Sequence, residues 1–203
     1  MAMNGTAAYE AYTAHSDLPP LVRAAVELAR ESGFEYSCLP EYGELLRVLA
    51  RGVGPGVIGE TGTGTGVGLA WLASAAHPEA RLISVEVDED RATRAAELFR
   101  GARQVEVLHG DWRQLRVYGP FDLLALDGGG QGKGTDPAIN PGEWLRPGGL
   151  AVLDDFAPLT SWPPLFQGEV DEIRRHWLEH PLLRATQVNV TPEWSALLAA
   201  YAP

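Results

Sequence analysis

Predicted strands and helices alternate along the chain from residue 57 onward, and this alternation limits the folds available to it. Short, largely apolar runs are typical of buried strands, and they occur at residues 57–60, 81–87, 105–109, 121–127 and 150–153. Helical spacing predicts helices over 67–76, 88–99 and 170–179. Strands joined by helices build an open, mainly parallel sheet with helices on both faces. Such sheets bind ligands at the carboxyl ends of their strands.

The two ends of the chain complete this predicted sheet. Residues 186–190 and 194–201 have the pattern of strands with only three residues between them, which favours an antiparallel hairpin. Upstream, helices are predicted up to Gly33 and over 40–50, and residues 1–16 are either an arm or a frayed helix. We expect one domain over residues 1–203, with a helical cap at 1–50 and the core at 57–203.

The net charge and the cysteine content limit the binding partners and the cellular location that we expect. The chain has 27 acidic and 16 basic residues, a net charge of −11, which repels nucleic acid and anionic membranes. A single cysteine cannot close an internal disulfide, and neither a signal peptide nor a membrane-spanning run is visible. We expect a cytoplasmic protein with a small-molecule partner and no nucleic-acid or membrane partner; a homodimer is left open.

A glycine loop, residues 60–66 (Glu-Thr-Gly-Thr-Gly-Thr-Gly), lies between the first predicted core strand and a helix. The dinucleotide fingerprint G-x-G-x-x-G fails, because Val67 and Leu69 stand where its third glycine should be. The phosphate-binding P-loop fails as well, since Lys133 is followed by Gly134 and not by Ser or Thr. The adenosylmethionine loop, an acidic strand end followed by G-x-G-x-G, does fit. A tight turn without a ligand is the remaining alternative.

Two further signals follow the next two strands. Glu86 ends the second strand, where a carboxylate can accept hydrogen bonds from both ribose hydroxyls of an adenosine. Asp111 and Trp112 follow the third strand, where they could bind the adenine amino group and stack on its ring. A surface glutamate at a strand end is the alternative for Glu86.

With these motifs the chain resembles bacterial class I S-adenosylmethionine-dependent O-methyltransferases of the catechol O-methyltransferase-like group. The resemblance rests on Ser-Cys-Leu-Pro-Glu-Tyr-Gly at 37–43, the glycine loop, Val-Glu-Val at 85–87, the run at 121–127, Leu-Arg-Pro-Gly-Gly at 145–149, and Asp154-Asp155. It implies a Rossmann-like α/β fold, a seven-stranded mostly parallel sheet with a C-terminal antiparallel hairpin, and methyl transfer to a hydroxyl of a small aromatic acceptor. The implied cofactor contacts are Glu60, Gly62, Gly64, Gly66, Glu86, Val87, Asp111, Trp112 and Asp127.

The resemblance also implies a divalent cation. Cation-dependent members use aspartates at the ends of the fourth and fifth strands, which match Asp127 and Asp154, and usually an asparagine beside the second. Asp155 stands at that third position. Three oxygen ligands suit Mg²⁺ or another divalent cation, which would lower the pKa of the acceptor hydroxyl. A strand-end pair that only caps a loop is the alternative.

The general base departs from the family pattern. Many relatives have a lysine three residues after the first metal aspartate, and here that position is Gly130. Lys133 nevertheless is the only lysine beside 15 arginines, and arginine cannot lose its proton near neutral pH. The expected catalytic residues are therefore Lys133 and Asp127, and a chance lysine on a glycine-rich loop is the alternative.

Other functions stay open at this stage. The shifted lysine and the aspartate at the third metal position would suit a non-catalytic domain that only binds an adenosyl ligand. Alternatively, an enzyme of the same fold could transfer another group, such as aminopropyl. Residues 176–180 spell H-x-x-E-H, an inverted zinc-protease pattern that we interpret as a solvated helix end because Pro181 follows. The segment 155–170, with Trp162 and Phe166, either walls an aromatic acceptor or packs over the sheet edge.

Overall fold

A computed structural model describes residues 4–13 and 17–203, and strands and helices alternate through most of this range. The strands are Val57–Thr61 (β1), Arg81–Glu86 (β2), Val105–His109 (β3), Phe121–Leu126 (β4), Leu145–Phe156 (β5), Leu165–Phe166 (β6), Glu169–Val170 (β7), Leu183–Asn189 (β8) and Ser195–Tyr201 (β9). The helices are Ala8–Thr13 (α1), Pro20–Glu31 (α2), Pro40–Val53 (α3), Val67–Ala75 (α4), Glu89–Leu98 (α5), Pro141–Trp144 (α6) and Glu172–Glu179 (α7). A 3₁₀ helix spans Trp112–Tyr118.

Seven strands form one sheet in the order β3-β2-β1-β4-β5-β9-β8. Strands β1 to β5 pair in parallel, and β9 runs antiparallel to both β5 and β8. The predicted fold, including the C-terminal hairpin, is therefore confirmed. The strand order reverses between β1 and β4, and an open α/β sheet binds its ligand outside the carboxyl ends of the strands at such a point.

Some element bounds differ from the prediction. Strand β5 begins at Leu145 because Leu145 already pairs with Phe121, and a register irregularity follows before regular pairing resumes. Helix α7 begins two residues late because Val170 pairs with Leu165 in the small β6–β7 hairpin. For the predicted arm or frayed helix over 1–16, the structure has α1, whereas residues 1–3 and 14–16 lie outside the described residues.

The N-terminal helices pack over one face of the sheet through α4. Helices α2 and α3 both contact α4, whose buried side chains cover its whole circumference. The largest of these is Trp71, which is fully buried and whose Nε1 donates to the Tyr9 hydroxyl over 2.9 Å. No helix in the ranges that the structure describes is long and apolar enough to cross a membrane.

We expect Gly43→Ala to destabilise the fold by about 2 kcal/mol, because α3 meets α4 at this glycine. A Cβ at Gly43 would lie 2.1 Å from Nε1 of Trp71, whose ring has no space to move. Urea denaturation measures the effect. The matched control is Gly52→Ala near the end of the same helix, where an added Cβ meets no atom within 4 Å. The control should be neutral or slightly stabilising, and equal stability of the two variants would contradict this packing.

Candidate functional site

A cleft of about 460 Å³ opens at the carboxyl ends of β1, β2 and β4. Among the residues predicted from the sequence, its walls include Gly62, Gly64, Glu86, Val87, Asp111, Trp112, Asp127, Asp154 and Asp155. Glu60, Gly66 and Lys133 are not among the lining residues. The cleft thus brings the glycine loop, the second-strand acid and the aspartates of β4 and β5 to one place.

The glycine loop is fixed on both sides by backbone contacts. The N–H groups of Gly62 and Thr63 both donate to the carbonyl of Val85 on β2, over 2.9 and 3.1 Å. Gly62 has φ +84°, and a Cβ there would lie 2.6 Å from Cα of Gly128 after β4. Only glycine combines a positive φ with so close an approach to another backbone. The loops after β1 and β4 therefore touch, and together they form the floor of the cleft.

Glu60 lies under the glycine loop. Its Oε2 accepts a hydrogen bond of 2.6 Å from Ser84, whose hydroxyl is also 2.6 Å from that of Thr63. Burial raises the pKa of Glu60 to about 8, since a charge loses its hydration there. In this position Glu60 supports the loop from below, and its direct contact with a cofactor stays a prediction.

Glu86 lies in the wall of the cleft with its carboxylate already partnered. It accepts from the N–H of Gly64 over 2.7 Å, from the N–H of Asp88 over 3.0 Å and from Arg91 Nη2 over 2.8 Å. Arg91 was not predicted from the sequence, although Asp88 caps α5 and so directs the first turn of that helix toward Glu86. A ribose that binds Glu86 would have to share this carboxylate with Arg91 or displace it.

We expect Glu86→Ala to weaken binding of S-adenosylhomocysteine by on the order of 1–3 kcal/mol, because ribose hydroxyls would lose their acceptor and the loop its anchor at Gly64. Calorimetry on the folded variant measures this. Glu89→Ala, which removes an exposed carboxylate from the same turn of α5, should bind as the wild type does. An unchanged affinity in Glu86→Ala would place the ribose elsewhere.

Asp136 lines the cleft beside Trp112 and Arg113, which follow β3. Trp112 Nε1 donates to Asp136 over 3.1 Å, and Arg113 donates to the same carboxylate over 2.8 Å. Arg113 also pairs with Asp111 at 3.0 Å and lies 4.6 Å from the centre of the Trp112 ring. Asp136 lines the cleft but was not predicted, because its partners are more than twenty residues away in sequence.

Three aspartates that line the cleft form an acid cluster, defined here as Asp127, Asp154 and Asp155. Asp154 is 2% exposed, and its carboxyl group is hydrogen-bonded to that of Asp127. Burial first, and the neighbouring carboxylates second, raise the pKa of both groups, that of Asp127 to about 8. Gln131 Nε2 also donates to Asp154 Oδ1 over 3.2 Å.

Lys133 lies behind the acid cluster. Its Nζ donates to the backbone carbonyl of Asp154 over 3.0 Å, is 3.9 Å from Oδ2 of Asp155, and lies 4.7 Å from the ring centre of Phe156. The loop after β4 that carries Lys133 is held in place because Trp177 Nε1 donates to the carbonyl of Gln131 over 2.8 Å. The lysine therefore reaches the acids despite its shifted position in sequence.

The acid cluster does not have the arrangement of ligands that the predicted divalent cation needs. Over residues 4–13 and 17–203, no group of three or more His, Cys, Asp or Glu side chains is arranged to hold a metal ion. Asp127 and Asp154 bond to each other, and the Asp155 carboxylate has the Lys133 ammonium beside it. His176 and His180 also lack a third ligand within those residues; their ring centres lie 5.4 Å apart at the end of α7.

Comparison with known proteins agrees with this geometry. A family model described as a methyltransferase domain matches residues 60–156, which run from the end of β1 through β5 and contain the acid cluster. Over these residues, just under half of the chain, the sequence is thus similar to methyltransferase domains. A protein of Mycobacterium sp. (strain JLS), provisionally named an O-methyltransferase, is 29% identical over 160 residues, which is 71% of this chain and 70% of that protein.

Solved structures show that the methyltransferase fold extends over nearly the whole chain. The O-methyltransferase TomG from Streptomyces achromogenes, in complex with S-adenosylmethionine, matches with a TM-score of 0.71 and 22% identity, over 98% of this chain and 97% of that one. An O-methyltransferase from Bacillus cereus, in complex with S-adenosylhomocysteine, matches with a TM-score of 0.71 and 19% identity, over 98% of both chains. The resemblance to S-adenosylmethionine-dependent O-methyltransferases is confirmed, and the matching methyltransferase model supports the prediction of a methyltransferase enzyme.

Proposed function

We propose that the chain transfers the methyl group of S-adenosylmethionine to a hydroxyl of a small aromatic acceptor. The observation that carries this proposal is the cleft itself, which is lined by the glycine loop, Glu86 and the acid cluster together. One such cleft can hold the methyl donor beside a hydroxyl that has to lose its proton.

The donor end of the cleft has the features that S-adenosylmethionine requires. A volume of about 460 Å³ falls in the usual range for small-molecule sites. The proposed contacts are the glycine loop, Glu86 for the ribose, and Asp111 and Trp112 for the adenine. When bound, S-adenosylmethionine supplies a methyl group already activated by its sulfonium, so the residues of the chain have mainly to align the acceptor and exclude water.

The aromatic acceptor is supported by exposed apolar side chains on the segment that follows the acid cluster in the sequence. The segment that leaves the sheet after Asp155 carries exposed large apolar residues, namely Leu159, Trp162, Leu165 and Phe166. Tyr36, which is 59% exposed, lines the cleft itself. Aromatic rings pack favourably on such surfaces, and their hydroxyls are acidic enough to be deprotonated by a carboxylate of raised pKa.

Asp127 is the proposed proton acceptor. It lines the cleft, and burial raises its pKa, so that its ionised form is a stronger base than the carboxylate of an ordinary aspartate. The bond between the acceptor oxygen and the methyl carbon forms as the carbon–sulfur bond breaks, and the hydroxyl proton passes to Asp127. Lys133, the other catalytic residue expected from the sequence, contacts Asp154 and Asp155 and is not part of the cleft wall.

Two measurements test the proposal. Calorimetry with S-adenosylmethionine and S-adenosylhomocysteine should show binding of both, and absence of binding would reject the proposed donor. Transfer of a labelled methyl group to a panel of catechols, phenols and aliphatic alcohols should then favour the aromatic hydroxyls. Binding without any transfer would favour a non-catalytic adenosyl-ligand domain.

The cytoplasmic location, the absence of a nucleic-acid partner and the homodimer stay predictions from the sequence.

A further inference from the structure

We infer that the ammonium group of Lys133 takes the place of the divalent cation as the positive charge of the acid cluster. This inference deepens and rests on the proposed function, since it concerns the same cleft. In the acid cluster, the side chains of Asp127 and Asp154 are hydrogen-bonded to each other, and the three acids are not arranged to hold a metal ion.

The position of Lys133 is set by several contacts that converge on it. The ammonium is 3.0 Å from the carbonyl oxygen of Asp154 and 3.9 Å from Oδ2 of Asp155, and it lies over the Phe156 ring. The same three consecutive residues of β5 thus offer it a carbonyl, a carboxylate and an aromatic face. Each of these is a favourable partner for a cation.

The loop that carries Lys133 is anchored at the same place. Gln131 donates to the Asp154 carboxylate and to the carbonyl of Leu126, and its own carbonyl accepts from Trp177. Trp177 is fully buried, so its Nε1 would lose this partner inside the protein if the loop moved away. Lys133 is therefore held in place, and its side chain is only 30% exposed.

A fixed ammonium at this point opposes a second cation. A divalent ion coordinated by the Asp155 carboxylate would lie about 2 Å from its oxygen, and hence within roughly 6 Å of the lysine nitrogen. Repulsion between the two cations is strong where solvent screening is weak. Lys133, the only lysine of the chain, thus already supplies one positive charge at the Asp155 carboxylate, where a metal ligand was predicted.

Direct measurement of Mn²⁺ binding tests the inference. Chelator-treated, buffer-exchanged protein is titrated with Mn²⁺, and free Mn²⁺ is followed by electron paramagnetic resonance. Wild type and Lys133→Arg, which keeps the charge, should have no saturable site at millimolar Mn²⁺. Lys133→Met, and Lys133→Gln in case the first variant unfolds, should bind Mn²⁺ at least about tenfold more tightly, because three carboxylates lose their internal cation. Arg47→Met, which removes a surface cation that is 3.5 Å from Glu44, should leave Mn²⁺ binding unchanged.

Two results would overturn the inference. One is a saturable Mn²⁺ site in the wild type that Asp154→Asn removes, and the other is a folded neutral variant of Lys133 that binds Mn²⁺ no better than the wild type. Calorimetry with S-adenosylhomocysteine on the same samples separates this failure from that of the proposed function. Loss of all adenosyl-ligand binding would reject the methyl donor, whereas the Mn²⁺ titration reports on the lysine alone.

Discussion

Asp127→Asn is expected to lower the turnover of methyl transfer by about 10²- to 10⁴-fold while the affinity for S-adenosylhomocysteine stays nearly constant. Asparagine has almost the shape of aspartate, and its carbonyl oxygen can still accept the hydrogen bond that Asp154 gives to Asp127. It cannot take up the proton of an acceptor hydroxyl. The loss should therefore fall on turnover and leave the fold and the donor site intact.

Single-turnover methyl transfer with saturating S-adenosylmethionine checks this, together with thermal melting and calorimetry of the same variant. Asp90→Asn, which neutralises an exposed aspartate on α5, is the matched control and should behave as the wild type. Turnover within threefold of the wild type would remove Asp127 as the base. A drop in turnover accompanied by an equal drop in donor affinity would instead assign Asp127 to cofactor binding, the other role that the family resemblance implies.

The sheet was largely predictable because its signals are local. Strand β3 has the predicted bounds, and β1 and β2 differ from them by one residue each, since buried parallel strands leave continuous apolar runs in a sequence. Gly62 and Glu86 line the cleft for the same reason: each ends or follows such a run, and parallel strands bring their carboxyl ends to one edge. Their order along the chain thus sufficed to find the cleft.

The arrangement of the acids was not predictable from spacing. Whether Glu60 faces the cleft or the layer beneath depends on the pleat of β1 and on its register with β2, where Glu60 lies opposite Ser84. The position of Lys133 depends on a glycine-rich loop whose path is set by Trp177, 46 residues away from Gln131. Contacts between segments so far apart leave no periodic signal, so the sequence indicated which residues matter and not how they pair.

Glu60→Gln is expected to stabilise the fold by about 3 kcal/mol near pH 7 and by almost nothing near pH 4. Burial raises the pKa of Glu60 from 4.5 to about 8, so between these values the folded protein keeps a proton that the unfolded chain releases. Each pH unit in this window lowers the stability of the wild type by about 1.4 kcal/mol. Its stability should therefore fall as the pH rises toward 8, and a glutamine, which has no proton to lose, removes that slope.

Urea denaturation of wild type and Glu60→Gln across this pH range measures the difference. The amide oxygen of glutamine can still accept the hydrogen bond from Ser84, so the support of the glycine loop persists. Glu79→Gln, at a carboxylate that is 80% exposed, is the control and should show no pH-dependent gain. A variant less stable than the wild type at every pH would mean that Glu60 is ionised in the folded state.

Since Glu60 lies under the loop and does not line the cleft, binding of S-adenosylhomocysteine should change by less than about threefold. A loss well beyond that would restore Glu60 as a direct cofactor contact.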